Sequence, residues 1–298
     1  MTDTALPSTK TWRPHTRGRL DIRTLLQVSP LWAILLMFLV LPVALIVLVS
    51  FWRFSGFTME PGFVLDHYRD LFRPSTLNLY INTLRIAGIT WLITAIIGFT
   101  LAYHLTFDLN KPATVTIKFM ILTIPFFTSA VIRTVAWVPV LGRNGLVNSS
   151  LISLGLIEEP LNFLLYSEFA VILAYVHAMT GIMMAPIFNT MNRIDRSLIE
   201  AARDAGANGW QVLRHVVLPL SMPGIAIGSI FVLTLVVGDV ATVRLLGGGQ
   251  LGTVSVAITN QSSLLQFPIA CANAVALLAI VLVCIAVILR FVNIRREL

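Results

Sequence analysis

The chain has 298 residues, of which 57% are hydrophobic and 12% are charged, and its mean hydropathy is +0.86. Soluble domains carry about 25% charged residues, so this composition excludes a soluble globular protein and indicates an integral membrane protein. The formal net charge is +7. The arginines flank apolar segments and form no patch interleaved with aromatic residues, which argues against a nucleic-acid partner.

Apolar runs long enough for transmembrane helices of about 20 residues follow a basic N-terminal tail, 1–29. They lie near 30–51, 79–103, 114–138, 168–190, 220–240 and 268–292. We predict an all-α integral membrane protein with about six transmembrane helices in a domain spanning 30–298. The first run is too long for a signal peptide and has no clear cleavage site, so we expect it to remain as a helix.

Basic residues concentrate on one predicted side of the membrane. They lie in the tail, the loop 191–219, the C-terminus and one short connection: Lys10, Arg13, Arg17, Arg19, Arg23, Lys111, Lys118, Arg193, Arg196, Arg203, Arg214, Arg290, Arg295 and Arg296. The positive-inside rule assigns this side, with both termini, to the cytoplasm. The opposite loops hold six acidic residues, although five arginines dilute the asymmetry: Arg53, Arg69, Arg73, Arg143 and Arg244.

The loop 191–219 is polar within an otherwise apolar sequence. Ser197 and Glu200 have the spacing of a capping box, which predicts a helix that begins at Ser197. Gly206 stands where a left-handed C-terminal cap is needed, so this helix is predicted to end there. Small residues recur on one face of the predicted helix, opposite Glu200, Arg203 and Asp204: Leu198, Ala201, Ala202 and Ala205.

A second helix is predicted directly after the first. Asn208 and Gln211 repeat the capping signal. Pro219 has no N–H to donate and disfavours helix at Leu218, so we expect the second helix to be short and to stop before Pro219.

The sequence favours neither metal nor nucleotide chemistry on this chain. Cys271 and Cys284 lie on one predicted helix, the histidines are scattered, and we expect no metal site and no catalytic residue. The glycine run 247–249 is not followed by a Lys-Ser or Lys-Thr pair, so it is not a phosphate-binding loop. If ATP drives transport, another chain must bind it.

The loop 191–219 resembles the EAA signature of binding-protein-dependent ABC importer permeases. Glu200-Ala201-Ala202, then Gly206, then Val216, Leu218 and Pro219 match its spacing, with valine in place of isoleucine at 216. In that family the first helix of this loop is the coupling helix, which docks into a groove on a cytoplasmic ATPase. The resemblance implies a coupling role for a set of residues here: Glu200, Ala201, Ala202, Arg203, Asp204, Gly206, Leu218 and Pro219.

Other segments resemble the spermidine/putrescine-type permeases of the same family. They are Asn82-Thr83-Leu84, the stretch 125–137, Gly142 with Gly145 and Asn148, and Gly238-Asp239 followed by Leu246-Gly247-Gly248. The resemblance covers roughly 75–290. It implies the type I ABC importer permease (MetI-like) fold, with the first helix as an additional span outside a five-helix core.

This resemblance implies the partners and the location of the chain. We expect an inner-membrane, multi-pass permease that is not itself an enzyme and works with two cytoplasmic ATP-binding subunits. A second, different but homologous permease, an extracytoplasmic solute-binding protein and membrane lipid are the other expected partners. ATP and Mg²⁺ would be bound by the ATPase subunits, with no cofactor on this chain.

Charges at membrane depth are the best pointers to the solute path, because a charge there normally faces protein or water. Asp239 and Arg133 either pair with each other or cap helix ends, or Asp239 meets a cationic solute. Trp137, Phe126 and Tyr175 could add cation–π contacts, although core packing is the other interpretation. Arg85 lies near a helix end, where we expect its side chain to snorkel to the interface.

The sequence does not identify the solute. A polyamine or related amine is the leading interpretation, and an anionic or zwitterionic solute such as an opine, a phosphonate or an amino acid derivative, or a ferric ion, is the alternative. Arg244 would suit an anion as well as Asp239 suits a cation. An ion-coupled secondary transporter is a weaker alternative, since repeated halves with broken helices are not evident.

Overall fold

The computed structural model describes residues 22–56, 58–109 and 111–291, with side chains at all of these except 22–28, 125, 126 and 291. The described chain divides into one unit that ends at Leu48 and a second that begins at Val49. Most of the basic N-terminal tail, residues 1–21, lies outside the described residues.

The first unit is one long apolar helical run. It consists of α1 (Ile22–Leu35), a π-helical segment (Leu36–Val40) and α2 (Leu41–Val49), whose last residue opens the second unit. The stretch Ser29–Val49 is long and apolar enough to cross a membrane, with a mean hydropathy of 3.0. This agrees with the span predicted at 30–51.

The second unit begins with a hairpin of β1 (Arg53–Phe54) and β2 (Met59–Glu60), which pair antiparallel with Arg53 opposite Glu60. The helices that follow are α3 (Asp66–Asp70), α4 (Pro74–Tyr103), α5 (Pro112–Thr123), α6 (Ala130–Val135), α7 (Val138–Leu141), α8 (Leu146–Ser153), α9 (Glu168–Met191), α10 (Arg196–Asp204), α11 (Gly209–Val212), α12 (Leu218–Gly238), α13 (Ala241–Leu246), α14 (Val254–Ser263) and α15 (Phe267–Phe291). Two π-helical segments, His104–Asp108 and Leu213–Val217, extend α4 and join α11 to α12.

Membrane-spanning length is reached by four helical runs of this second unit. They are Pro74–Asp108, Glu168–Met191, Gly209–Gly238 and Phe267–Arg290. Each overlaps one of the predicted spans, and the runs from Pro74 and Glu168 contain theirs completely, which confirms the class of an all-α integral membrane protein. The runs from Pro74 and Gly209 are longer than predicted, because both helices continue beyond the apolar stretch.

The third predicted span, 114–138, is wrong as a single helix. α5 stops at Thr123, a 3₁₀ turn follows over Ile124–Phe127, and α6 begins only at Ala130. Pro125 removes one backbone N–H from the helix, and the backbone is extended at Ser129 with ψ of 133°. The stretch is therefore a short helix, a turn and a second short helix.

The core of the second unit is built on close contacts of α9 with α4 and α12. Gly224 and Gly228 let α12 approach α9 closely, as small residues do at membrane helix interfaces. A Cβ at Gly224 would lie 2.5 Å from the Pro186 carbonyl oxygen, and one at Gly228 would lie 2.7 Å from the Met183 sulfur. Gly98 of α4 has the same role, 3.1 Å from the Met183 side chain. Met183 is fully buried where the three helices meet.

Polar side chains of the segments that resemble the permease family form hydrogen bonds between the loops and this core. The Thr83 hydroxyl accepts from the Val254 N–H at 3.0 Å, and the Asn82 amide donates to the Gly252 carbonyl at 3.3 Å. These bonds fix the α13–α14 connection against α4. Asn148 is fully buried and bonds the backbone of Leu161 with both ends of its amide.

We predict that Gly224→Ala destabilises the protein while Gly88→Ala does not. The alanine methyl at 224 would press on α9 backbone, an overpacking that costs about 1–3 kcal/mol. Gly88 lies on α4 with no atom within 4 Å of an added Cβ, so alanine there should be neutral or slightly stabilising. Thermal unfolding of both variants in detergent tests this, and equal melting temperatures would contradict the packing account.

Candidate functional site

The helix α10 begins at Arg196, one residue before its predicted start at Ser197. Asp195 is its N-cap, and the carboxylate accepts from the Ser197 N–H at 3.0 Å. This bond holds the pKa of Asp195 below its ordinary value. The capping box predicted for Ser197 and Glu200 is therefore wrong, because Asp195 takes the capping position and Ser197 already lies inside the helix.

The C-terminal end of α10 is as predicted. Gly206 has φ of +87°, the left-handed conformation that favours glycine. Its N–H donates to the Arg203 carbonyl at 2.8 Å, and the Ala207 N–H donates to the Ala202 carbonyl at 3.0 Å. This pair of bonds is the Schellman motif, which satisfies carbonyls that a helix end would otherwise leave without partners.

The capping box of the next helix is also confirmed. The Gln211 N–H donates to the Asn208 side chain at 2.9 Å, and the Asn208 N–H donates to the Gln211 side chain at 2.8 Å. The C-terminal cap of α10 at Gly206 and the N-terminal cap of α11 at Asn208 are thus only two residues apart, so the connection between the helices is short and hydrogen-bonded at both ends.

The predicted stop before Pro219 is wrong. The helix that begins at Gly209 runs to Gly238, and Leu218 and Pro219 lie inside it. The segment Leu213–Val217 is π-helical, and the Leu218 N–H donates to the Leu213 carbonyl five residues earlier. A local π turn of this kind accommodates a proline in a membrane helix by giving the neighbouring backbone groups other partners. The part of the loop from Gly209 onward is therefore in the same helix as the span.

The small-residue stripe of α10 divides between two surroundings. Ala202 packs against the hydrophobic core together with Ile199, which the sequence pattern had not placed on that face. Leu198, Ala201 and Ala205 are exposed. The charged residues Glu200, Arg203 and Asp204 are exposed as well. α10 thus contacts the core through Ile199 and Ala202 only, and the rest of its surface is exposed.

Asp239 lies at the other end of the long helix, where it caps α13. Its Oδ1 accepts from the Ala241 N–H at 2.8 Å, and its Oδ2 accepts from the Thr242 hydroxyl. Tyr175 of α9 lies beside this carboxylate. The Tyr175 hydroxyl is buried and, among the described residues, makes no hydrogen bond within normal limits.

Arg133 lies near His177 of α9 rather than in an ion pair with Asp239. No pair within 4.0 Å joins Arg133 and Asp239 in the described part of the chain. The Trp137 ring meets the His177 ring edge-on, with centroids 5.6 Å apart. Thr134 and Thr242 bring α6 and α13 together, with their hydroxyl oxygens 3.3 Å apart.

The structure thus collects most of the predicted path residues around the N-terminal half of α9. Asp239 and Tyr175 are adjacent, Arg133 and Trp137 lie on α6 or just after it, and the side chain of Phe126 lies outside the described residues. Sequence reasoning missed His177, because a single histidine in an apolar run carries no motif. Only the tertiary arrangement, in which α13 packs on both α6 and α9, brings it to Trp137 and Arg133.

Two other arginines have partners that the sequence did not suggest. Arg85 of α4 forms an ion pair with Glu168 at the start of α9, with an N–O distance of 2.5 Å. The expectation that Arg85 snorkels named no partner, and the structure adds a carboxylate from the neighbouring helix. Arg244 donates to the Asn260 side chain at 2.5 Å.

A family model described as the inner membrane component of binding-protein-dependent transport systems matches residues 95–296. The chain belongs to this family. It is 31% identical over 236 residues to the spermidine/putrescine transport system permease protein PotB of Haemophilus influenzae, covering 78% of this chain and 81% of that protein. The PotB protein of Escherichia coli is 30% identical over 217 residues, covering 72% of this chain and 78% of its own length.

The fold of this permease is similar to that of a solved ABC transporter chain. A bacterial transporter involved in the import of the acidic polysaccharide alginate superposes with a TM-score of 0.73 at 22% identity, covering 93% of this chain and 98% of that one. Family and fold together confirm a multi-pass inner-membrane permease of the ABC importer type. It is a transport component and not an enzyme.

We predict that Gly206→Val loosens α10 while Gly206→Asn largely preserves it. A β-branched residue is strongly disfavoured at positive φ, whereas asparagine tolerates this conformation. Hydrogen exchange should therefore be faster across 196–207 by about tenfold in the valine variant, from a strain of roughly 1–2 kcal/mol. Unchanged protection in the valine variant would show that Gly206 does not hold the helix end.

Proposed function

We propose that this permease carries a polyamine or related amine inward as part of an ATP-driven importer. The identity of its relatives, which are named spermidine/putrescine permeases, supports the class of solute. The single observation that carries the mechanism is the helix Gly209–Gly238, which begins at the capped loop and ends at Asp239. One helix thereby joins a docking element to a carboxylate suited to an amine.

The proposed assembly places both chain termini and α10 in the cytoplasm. Four arginines lie on α10 or near it in the sequence, in accord with the positive-inside rule: Arg193, Arg196, Arg203 and Arg214. Two ATP-binding subunits, which hold ATP and Mg²⁺, dock on this side. A second, homologous permease completes the pathway, and a solute-binding protein delivers the amine to the outer loops. No cofactor is required on this chain.

Coupling follows from the exposure and rigidity of α10. Leu198, Ala201 and Ala205 form an exposed strip of small and apolar side chains that a groove on the ATPase can cover. ATP shifts the permease between two conformations only if the ATPase contacts them differently. Firm caps at Asp195 and Gly206 let α10 transmit such a difference to α12 without being deformed.

The outer site offers complementary groups for an ammonium ion. Asp239 keeps a carboxylate lone pair beyond its capping bonds, and the buried Tyr175 hydroxyl next to it can accept from an N–H donor. The Trp137 ring adds a face that favours cations. Arg133 stands close by and would repel a second positive charge, so we place the bound ammonium group on the Asp239 side of the site.

We predict that Glu200→Ala combined with Gly206→Val abolishes ATP-dependent uptake while the protein still inserts into the membrane. The first substitution removes a charge from the exposed surface of α10, and the second removes the glycine that fixes the C-terminal end of this helix. A matched control is Glu158→Ala combined with Gly155→Val, since Gly155 also has positive φ, +69°, with open space around it, and both lie in an outer loop. Uptake by proteoliposomes is the measurement. Normal uptake in the first variant would contradict the coupling role.

We predict that Asp239→Asn lowers uptake of an amine by about tenfold or more but leaves assembly intact. Asparagine keeps an oxygen to cap α13, and it loses the charge that attracts a cation. Asp70→Asn, in the exposed ion pair with Arg73, is the control and should transport normally. If Asp239→Asn transports at the normal rate and melts at the normal temperature, Asp239 is only a helix cap.

A further inference from the structure

A cavity of about 160 Å³ lies between α10, α11 and the C-terminal end of α4. Tyr103 and Phe107 form one wall, with ring centroids 5.1 Å apart. Val212 and Val217, both buried, contribute to an apolar floor. The cavity is distinct from the exposed strip of α10, because Leu198 is not among the residues that line it.

The rim of this cavity carries three charges from α10. Arg196, Glu200 and Arg203 all line it. They are spaced by four and then three residues, which places them on one helix face over two turns. Within the described residues none of them forms an ion pair inside 4.0 Å, so the glutamate does not neutralise either arginine by direct contact. The rim therefore has a net charge of +1 and two guanidinium groups available to an outside ligand.

A carboxylate is the ligand that suits this rim. A guanidinium binds a carboxylate through two parallel N–H donors, which add geometric specificity to the attraction between the charges. One incoming carboxylate also brings the net charge of the rim to zero. A cation, in contrast, would meet two arginines.

We propose that this cavity, the arginine clamp of Arg196 and Arg203, receives an acidic side chain of the ATP-binding subunit. The inference rests on the proposed function, because it requires that α10 docks on that subunit. It adds a second anchor to the exposed apolar strip and assigns a role to Arg196, which lies outside the EAA-like signature. The clamp fixes the orientation of the ATP-binding subunit about α10, since the strip alone would allow that subunit to rotate about the helix axis.

The clamp is tested with the complete importer in nanodiscs of phosphatidylcholine. The variants are Arg196→Gln with Arg203→Gln, and the matched control is Arg214→Gln, an exposed arginine of the same loop that does not line the cavity. The affinity of the ATP-binding subunits for the permease is measured at increasing salt. Removing one side of a charge pair at an interface weakens binding by at least about tenfold and flattens its salt dependence.

The expected result is weaker and less salt-sensitive binding in the double glutamine variant, with wild-type behaviour in Arg214→Gln. Arg196→Lys with Arg203→Lys should recover part of the affinity, because lysine keeps the charge but not the bidentate geometry. Equal affinity and salt dependence in the glutamine variant and the wild type would overturn the clamp.

Two further outcomes separate the alternatives. If the arginines affect only the thermal stability gained on adding anionic phosphatidylglycerol, with ATPase binding unchanged, the occupant is a lipid headgroup and the proposal is wrong. Leu198→Arg tests the apolar strip independently. Loss of ATPase binding in Leu198→Arg but not in the glutamine variant overturns the clamp alone, and a wild-type permease that binds no ATPase overturns the proposed function with it.

Discussion

In a bilayer, every backbone N–H and carbonyl must find its partner inside the protein, and this constraint shapes the helix from Gly209 to Gly238. Pro219 would normally end a helix, yet the π turn at Leu213–Val217 supplies an alternative bonding pattern and the helix continues. As a result, a polar loop with well-defined caps is continuous with a membrane span. Its 30 residues extend about 45 Å, enough to reach from one membrane surface to the other.

The contact of this continuous helix with α9 limits how the helix can move. Gly224 and Gly228 bring the two backbones together around Met183, so α12 has little freedom to slide on α9 without repacking. Beyond this contact, α9 provides Tyr175, and Asp239 directly follows the last residue of α12. Packed backbone of α9 and α12 thus connects the contact at Met183 to the surroundings of Asp239.

Sequence reasoning succeeded where the deciding chemistry is local. The apolar runs, the glycine cap at 206 and the capping box at Asn208 each depend on a few adjacent residues. It failed where neighbours compete or where a distant element intervenes. Asp195 displaced Ser197 as the cap, a π turn compensated for Pro219, and the ion pair of Arg85 required α9 to lie beside α4. The residues around Asp239 were predicted individually, but their arrangement was not, since only the packed helices bring these residues together.

We propose that Gly209–Gly238 moves as one rigid helix during transport, because it is continuous through the π turn and packed against α9. It is tested most directly by the distance between spin labels at Trp210 and Leu235, which are both exposed, in a chain whose Cys271 and Cys284 are replaced by serine. A helix of this length predicts a distance of roughly 38 Å between the two labelled backbones. A rigid helix keeps the same distance with and without ATP in the complete importer, while a distance from Trp210 to Leu146 changes. A change in the Trp210 to Leu235 distance would show instead that the π turn is a hinge.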